Sequence, residues 1–320
     1  MTLLSSLQLL LNDPSLVINE QLQSLWSGYG QIVRCKSGQS KNSYIVKVIS
    51  PDNTKNHPRG WNTSTSHQRK ITSYQVEANF YQHYAGLTDM HNKVPRLIAS
   101  HKSEEMILLV MEDLDKSGYN IRKNFASWQD LAIAIRWLAY FHARFMGVEG
   151  KELWPVGCYW HLATRQDEFT AMPASNIKHY AKAIDAKLNQ ASFKTLVHGD
   201  AKFENLCFHQ NGQAVAAVDF QYSGLGSGVK DLAYLVGSCL HQNQLVEFDK
   251  LIVPEYLKQL KSALAHYNQP INFEDLTTET YLLYPVAWAD FYRFLLGWNP
   301  QSWKICDFMK EKSAQALQLF

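Results

Sequence analysis

A chain of 320 residues with 46% hydrophobic side chains can fill one large core or two smaller ones. Its net charge of +2 and lack of any long basic stretch argue against a nucleic-acid partner. Five scattered cysteines, without a CxxC pair or zinc-ligand spacing, read as reduced buried thiols and suit the cytoplasm.

The opening run MTLLSSLQLLLNDP is too short to span a bilayer and has no basic flank. It reads as a short packed helix that stops at the turn signal Asn12-Asp13-Pro14. Charges interrupt every later apolar run, so no membrane association is expected, and nothing points to an obligate protein partner. Three short apolar, β-branched runs follow as predicted strands: residues 31–35, 43–50 and 105–112. Between the last two lie a polar loop over 51–70 and a helix from about Thr72 that Gly86 ends.

Beyond Asp115 helical periodicity takes over. Residues 127–145 place Leu131, Ile135, Leu138 and Phe141 on one stripe, and further helices are predicted near 175–187, 230–240, 254–267 and 278–296. LVHGD…NLCFHQNGQAVAAVDF interrupts them as two apolar strands joined at Gln210-Asn211-Gly212-Gln213, with Asn-Gly as the hairpin signal. The expected fold class is therefore α+β, with a small β-rich part before a larger, mainly helical one.

An antiparallel hairpin brings its open ends together, so Asp219 should approach the loop carrying Asp200 and Asn205. Two carboxylates and an amide oxygen make a hard-oxygen site suited to Mg²⁺, which takes its remaining ligands from water and phosphate. An Asp with an Asn five residues on, then an Asp on the next strand, is also the layout of a kinase catalytic loop and its metal-binding aspartate. With HGDAKFEN and VDFQ in these places, the sequence resembles the protein-kinase-like superfamily. Within it, the sequence resembles the aminoglycoside phosphotransferase and choline kinase group, and HGDAKFENLCF…VAAVDFQYSGLGSGVKDLAYL is most similar to the ecdysteroid-kinase-like branch.

The resemblance implies a bilobal protein-kinase-like fold, with residues 1–114 as a nucleotide-binding lobe and 115–320 as a catalytic and acceptor-binding lobe. It implies ATP and Mg²⁺ as cofactors and a small-molecule hydroxyl as acceptor. Asp200 would orient and deprotonate that hydroxyl, Lys202 would steady the transferred phosphoryl, and Asn205 and Asp219 would hold the metal. His198 would brace the loop. Two departures stand out: Gln221 sits where many phosphotransferases carry an acid, and no glycine follows Asp219-Phe220.

A kinase also needs a strand lysine that meets a helix glutamate. Lys47 is the one charge in YIVKVI, and Glu77 shares a helical face with Phe80, Tyr81 and Tyr84. Each alone has an ordinary reading, a snorkelling lysine and an exposed glutamate. As a pair they would satisfy each other, with the lysine aimed at the α- and β-phosphates. Two turns could cradle those phosphates: Gly28-Tyr29-Gly30, or Gly38 to Ser43 with Gly38 and Ser40, preferred because it directly precedes the Lys47 strand. Met111 and Glu112 open the expected interlobe hinge, where backbone groups would bond adenine.

For the acceptor, Tyr284, Trp288 and Tyr292 recur at helical spacing near Asp290, either as core or as a cage for a cation. Tyr159-Trp160-His161 is equally open. Lys202 leaves room for a protein-substrate kinase, against which the short segment after Asp219 speaks. A non-catalytic nucleotide-binding scaffold is the other alternative, against which Lys47, Glu77, Asp200, Asn205 and Asp219 all speak.

Overall fold

The computed structural model describes residues 2–25, 28–50 and 64–320. Helix α1 (Leu3–Leu10) is capped by Thr2, whose side chain accepts the Ser5 N–H. Its Leu3, Leu7 and Leu10 face Leu16, Val33, Val46 and Val110 of a sheet. That sheet joins β1 (Leu16–Ser24), β2 (Gly30–Ser37), β3 (Ser43–Ile49), β4 (Leu97–Lys102) and β5 (Ile107–Glu112) in the antiparallel order β1-β2-β3-β5-β4.

Strand β1 was not expected, because eight of its nine residues are exposed and no apolar alternation marks it. Pairing with β2, not burial, holds it in place. In central β3, period two sends Val46 and Val48 to the α1 side and Lys47 and Ile49 to the other. That second face meets α2 (Ser64–His83). This helix begins eight residues before the expected Thr72, which corrects the loop read over 51–70. The opening STSHQRKI carries no apolar stripe, and Arg69 on the Thr164 carbonyl and Lys70 on Gln221 tie it to the helical region. The part of that loop from 51 to 63 lies outside the described residues.

The C-terminal region is mainly helical, so the chain is α+β with the protein-kinase-like arrangement of a small β-rich part and a larger helical part. Its helices are α3 (Trp128–Arg144), α4 (Gln166–Ala171), α5 (Asn176–His179), α6 (Ala181–Asn189), α7 (Val229–Cys239), α8 (Gln242–His266), α9 (Phe273–Trp298) and α10 (Asp307–Leu317). Ser127 and Asp130 close a capping box at the start of α3. Helix α8 starts well before the predicted 254, with Pro254 inside it, because the surrounding burial of Phe248, Ile252 and Tyr256 outweighs one lost backbone bond.

Two small strand pairs interrupt the helices: β6 (Thr195–Val197) with β9 (Gly224–Gly226), and the expected hairpin β7 (Leu206–Phe208) with β8 (Val215–Ala217). At the hairpin tip Gly212 takes φ +68°, which the Asn-Gly signal anticipates. Among the described residues no helix is long and apolar enough to cross a membrane.

Candidate active site

The loop from His198 to Asn205 leaves β6 in a shape that other elements impose. Gly199 has φ +78°, and a Cβ there would lie 2.0 Å from the Tyr222 carbonyl oxygen, so only glycine fits. The backbone N–H groups of His198 and Gly199 donate to Asp231 of α7 at 2.6 and 2.9 Å. Asp231 is fully buried and also meets His142 at 3.2 Å. Burial would raise its pKa, but the His142 contacts and the backbone donors bring it below the ordinary value. His198 accepts the Asp200 N–H at Nδ1 and donates from Nε2 to the Val218 carbonyl, so it braces the loop as expected.

This bracing turns Asp200 into the cleft beside Asn205 and Lys202. The Asn205 amide nitrogen donates to the Asp200 carbonyl at 2.9 Å and to its carboxylate at 3.2 Å. That leaves Asn205 Oδ1 as the atom free to coordinate. Lys202 lies 3.4 Å from Asp200 Oδ2, which raises the lysine pKa. For Asp200 itself burial dominates and lifts its pKa above the carboxylate norm, against the pull of Lys202.

The hairpin delivers Asp219 as its register requires: Leu206 pairs with Ala217, and the Val218 N–H donates to the Asn205 carbonyl at 3.0 Å. Asp219 adopts φ +71°, an uncommon conformation for a side-chain-bearing residue. Phe220, fully buried, pins it there by stacking on Phe80 of α2 at 3.8 Å between ring centres. Burial would raise the Asp219 pKa, yet Lys47, Lys202 and Lys70 outweigh it and hold the group ionised. Its Oδ1 is buried with no close hydrogen bond, the Lys47 ammonium standing 3.5 Å away. Together with Asn205 Oδ1 it offers two hard-oxygen donors, the sparse protein share that Mg²⁺ takes beside water and phosphate; among the described residues no cluster of three or more His, Cys, Asp or Glu is placed to hold a metal.

Lys47 and Glu77 meet at 2.6 Å, and Lys47 reaches Asp219 at 3.5 Å. Both side chains are buried, at 5% and 2% exposure, rather than the snorkelling or exposed residues each could have been. Burial works against the ammonium, but Glu77 and Asp219 hold its pKa above the ordinary value.

The phosphate-loop preference needs correction. Gly38 and Ser40 sit on the β2–β3 turn, whose amides are engaged: Gly38 N–H on the Ser15 carbonyl, Gln39 on Ser15 Oγ and Ser40 on Ser37 Oγ. That turn flanks Ser43, which pairs with Lys36 at the opposite end of β3 from Gly30. The β1–β2 turn is at the right end. Gly30 pairs with Ile49, two residues from Lys47, and Leu25 and Tyr29 of that turn line the cleft. Gly30 has φ +143°, with no room for a Cβ against the Val48 carbonyl.

Met111 and Glu112 line the same cleft at the end of β5. The Glu112 side chain is held by Lys93 at 2.7 Å and Ser117 at 2.6 Å. Next to them Arg34 of β2 binds buried Asp113 at 2.9 Å and Asp115 at 2.5 Å, tying the sheet to the connecting segment. Arg34 carried no pattern in the sequence, and Asp231, though inside the run that carries the resemblance, had no role read for it, since each works mainly through partners far along the chain.

The cleft measures about 1530 Å³, above the roughly 300–1,000 Å³ of ordinary ligand sites, so it has room for two ligands. The stripe Tyr284, Trp288 and Tyr292, with Asp290 beside it, does not line it. Tyr284 and Trp288 are core, and Asp290 is buried against Arg293 at 2.8 Å and the Trp160 indole at 3.1 Å. This overturns the cation-cage reading of that stripe. Tyr159 does line the cleft, whereas Trp160 is core.

Solved structures to which the chain is similar include a type VIII aminoglycoside-3'-phosphotransferase, 15% identical with a TM-score of 0.47, covering 84% of this chain and 95% of that one. A Streptomyces rimosus aminoglycoside phosphotransferase solved with ADP and streptomycin is 14% identical with a TM-score of 0.46, covering 90% and 100%. A Plasmodium vivax ethanolamine kinase is 11% identical with a TM-score of 0.45, covering 98% and 85%. A probable acyl-CoA dehydrogenase of Arabidopsis thaliana is 36% identical over 75 residues, 23% of this chain but 9% of that protein's length. The family match extends much further, over residues 31–152 and 158–269, which span both the Lys47 strand and the HGD loop: the chain belongs to the ecdysteroid kinase-like family.

Proposed function

We propose that this chain transfers a phosphoryl group from ATP to a hydroxyl of a small molecule. The observation that carries the reading is the convergence of Lys47, Asp200, Lys202, Asn205 and Asp219 on one large cleft. Asp200 aligns the acceptor hydroxyl and takes its proton, and Lys202 steadies the phosphoryl in flight. Lys47, fixed by Glu77, orients the α- and β-phosphates. Gly28, Tyr29 and Gly30 cover them, and the Met111–Glu112 backbone receives the adenine. Mg²⁺, held by Asn205 and Asp219, would neutralise charge on the β- and γ-phosphates. In this reading residues 1–114 form the nucleotide lobe and 115–320 the catalytic lobe. Only two short elements separate Asp219 from the body of the helical region, β9 and the start of α7, which weighs against a protein substrate. All five cysteines are unpaired, four of them buried, which suits a reducing cytoplasm.

The test is titration of a non-hydrolysable ATP analogue with and without Mg²⁺. It is run alongside ADP release over a panel of choline, aminoglycosides, sugars, steroids and homoserine. Asp219→Asn and Asn205→Ala should each raise the Mg²⁺ concentration needed for analogue binding. Metal-independent binding, unchanged in both variants, would remove the metal assignment, and no analogue binding at all would remove the kinase reading.

A further inference from the structure

Past Asp200 the cleft continues between α2, the segment before α4 and the end of α9, where its walls are aromatic. Tyr159 lies at the centre of this part. Its ring is 5.7 Å from Tyr222, 5.8 Å from Tyr234 and 6.5 Å from Trp298. Its backbone N–H donates to the Gly199 carbonyl at 2.9 Å, which anchors this wall to the HGD loop.

Two guanidiniums line the same space. Arg165 lies 5.1 Å over the Tyr159 ring and reaches Glu168 Oε1 at 2.9 Å. Arg69 of α2 comes within 4.0 Å of that same oxygen. The two arginine side chains are only 10% and 8% exposed, so two largely desolvated cations share one carboxylate. Glu168 itself does not line the cleft, whereas both arginines do. Burial and the nearby Arg165 charge lower the Arg69 pKa. Further along, Lys304 sits 5.3 Å over Tyr234, lines the cleft and makes no ion pair among the described residues. The one lining acid here outside an ion pair is the exposed Glu204.

Glu168 and, at Arg69, Asp167 offset these charges, and Arg69 and Arg165 also donate to the Thr164 and Tyr159 carbonyls, yet both guanidiniums still line the cleft, and planar guanidiniums favour carboxylate or phosphate geometry. We propose that the acceptor carries, besides its hydroxyl, an anionic group: a carboxylate, phosphate or sulfate. Arg69 and Arg165 hold that group, the apolar body of the acceptor lies against Tyr159 and Tyr222, and the hydroxyl points to Asp200. A polycationic acceptor meets like charge in this part of the cleft and is selected against. The inference rests on the kinase reading, because it takes Asp200 as the point where the hydroxyl must arrive.

The test compares three benzyl alcohols of similar size whose para group is anionic, neutral or cationic: para-hydroxymethylbenzoate, para-hydroxymethylbenzyl alcohol and para-aminomethylbenzyl alcohol. Their binding to the wild-type protein is measured by calorimetry with the ATP analogue and Mg²⁺ present. The carboxylate should bind about tenfold or more tighter than the neutral member, the scale of a charge-assisted hydrogen bond, and the ammonium should bind weakest. Arg69→Gln should reduce the carboxylate to the affinity of the neutral compound and leave analogue binding intact. Equal affinities, a preference for the ammonium or no binding by any of the three would overturn the proposal. The wild-type comparison does not depend on any variant folding. Failure of the ATP analogue to bind would instead strike the kinase reading itself.

Discussion

Removing the Lys47 ammonium should cost stability as well as nucleotide binding. Its partner Glu77 is 2% exposed, with no water to replace the bond at 2.6 Å. Asp219, the other anion near Lys47, is 32% exposed and keeps Lys202 and Lys70 nearby, so it tolerates the loss better. Stranding one buried charge costs about 3–5 kcal/mol. At about 2–4 °C per kcal/mol for a large domain, Lys47→Met should lower the melting temperature by roughly 6–20 °C. The double variant Lys47→Met with Glu77→Leu removes both charges and should recover most of that loss, because a buried ion pair contributes little more than a packed apolar pair. Neither variant should bind ATP. Thermal unfolding and nucleotide titration on the single and double variants separate the two effects. A single variant that melts with wild type would refute the buried pairing, and a double variant with wild-type ATP affinity would refute the nucleotide role of Lys47.

Asp200→Asn should reduce turnover about 10²–10⁴-fold while ATP affinity changes little, as read by ADP release beside analogue titration. As base, Asp200 must be ionised, and burial raises its pKa above 3.8. The acid limb of kcat/KM should therefore lie above that value and vanish from the residual activity of the variant. The sign for stability runs the opposite way: a carboxyl with a raised folded pKa binds its proton more readily when folded. It therefore opposes folding at neutral pH, so the variant should melt no lower than wild type at pH 7. Asp231→Ala strips the His198 and Gly199 N–H groups of their acceptor. Turnover should collapse and the melting temperature fall, while the ATP analogue, which the proposed function assigns mostly to the N-terminal sheet, should still bind. Full turnover in that variant would show that Asp231 does not set the loop.

What the sequence alone determined is local. The His-Gly-Asp run, the amide five residues on and the Asn-Gly turn lie within about two dozen positions. Chain connectivity and the pairing of two apolar strands then suffice to bring Asp200, Asn205 and Asp219 together. Lys47 was legible for the same kind of reason, as a lone charge in an apolar strand that had to find a partner. Tertiary structure decided what periodicity cannot distinguish. An apolar helical stripe faces inward whether it meets core or cleft, so only packing sends Tyr284 and Trp288 of α9 into the core and leaves Trp298 of the same helix on the cleft wall. Two glycine-bearing turns flank the Lys47 strand. Strand register places Gly30 near the lysine and carries Gly38 to the far end. Strand β1 and the first turns of α2 lacked any pattern because ladder bonds and distant polar contacts hold them instead of burial. Asp231 and Arg34 stayed unread because a buried carboxylate or guanidinium finds its partners by distance in space, and their partners lie tens of residues away.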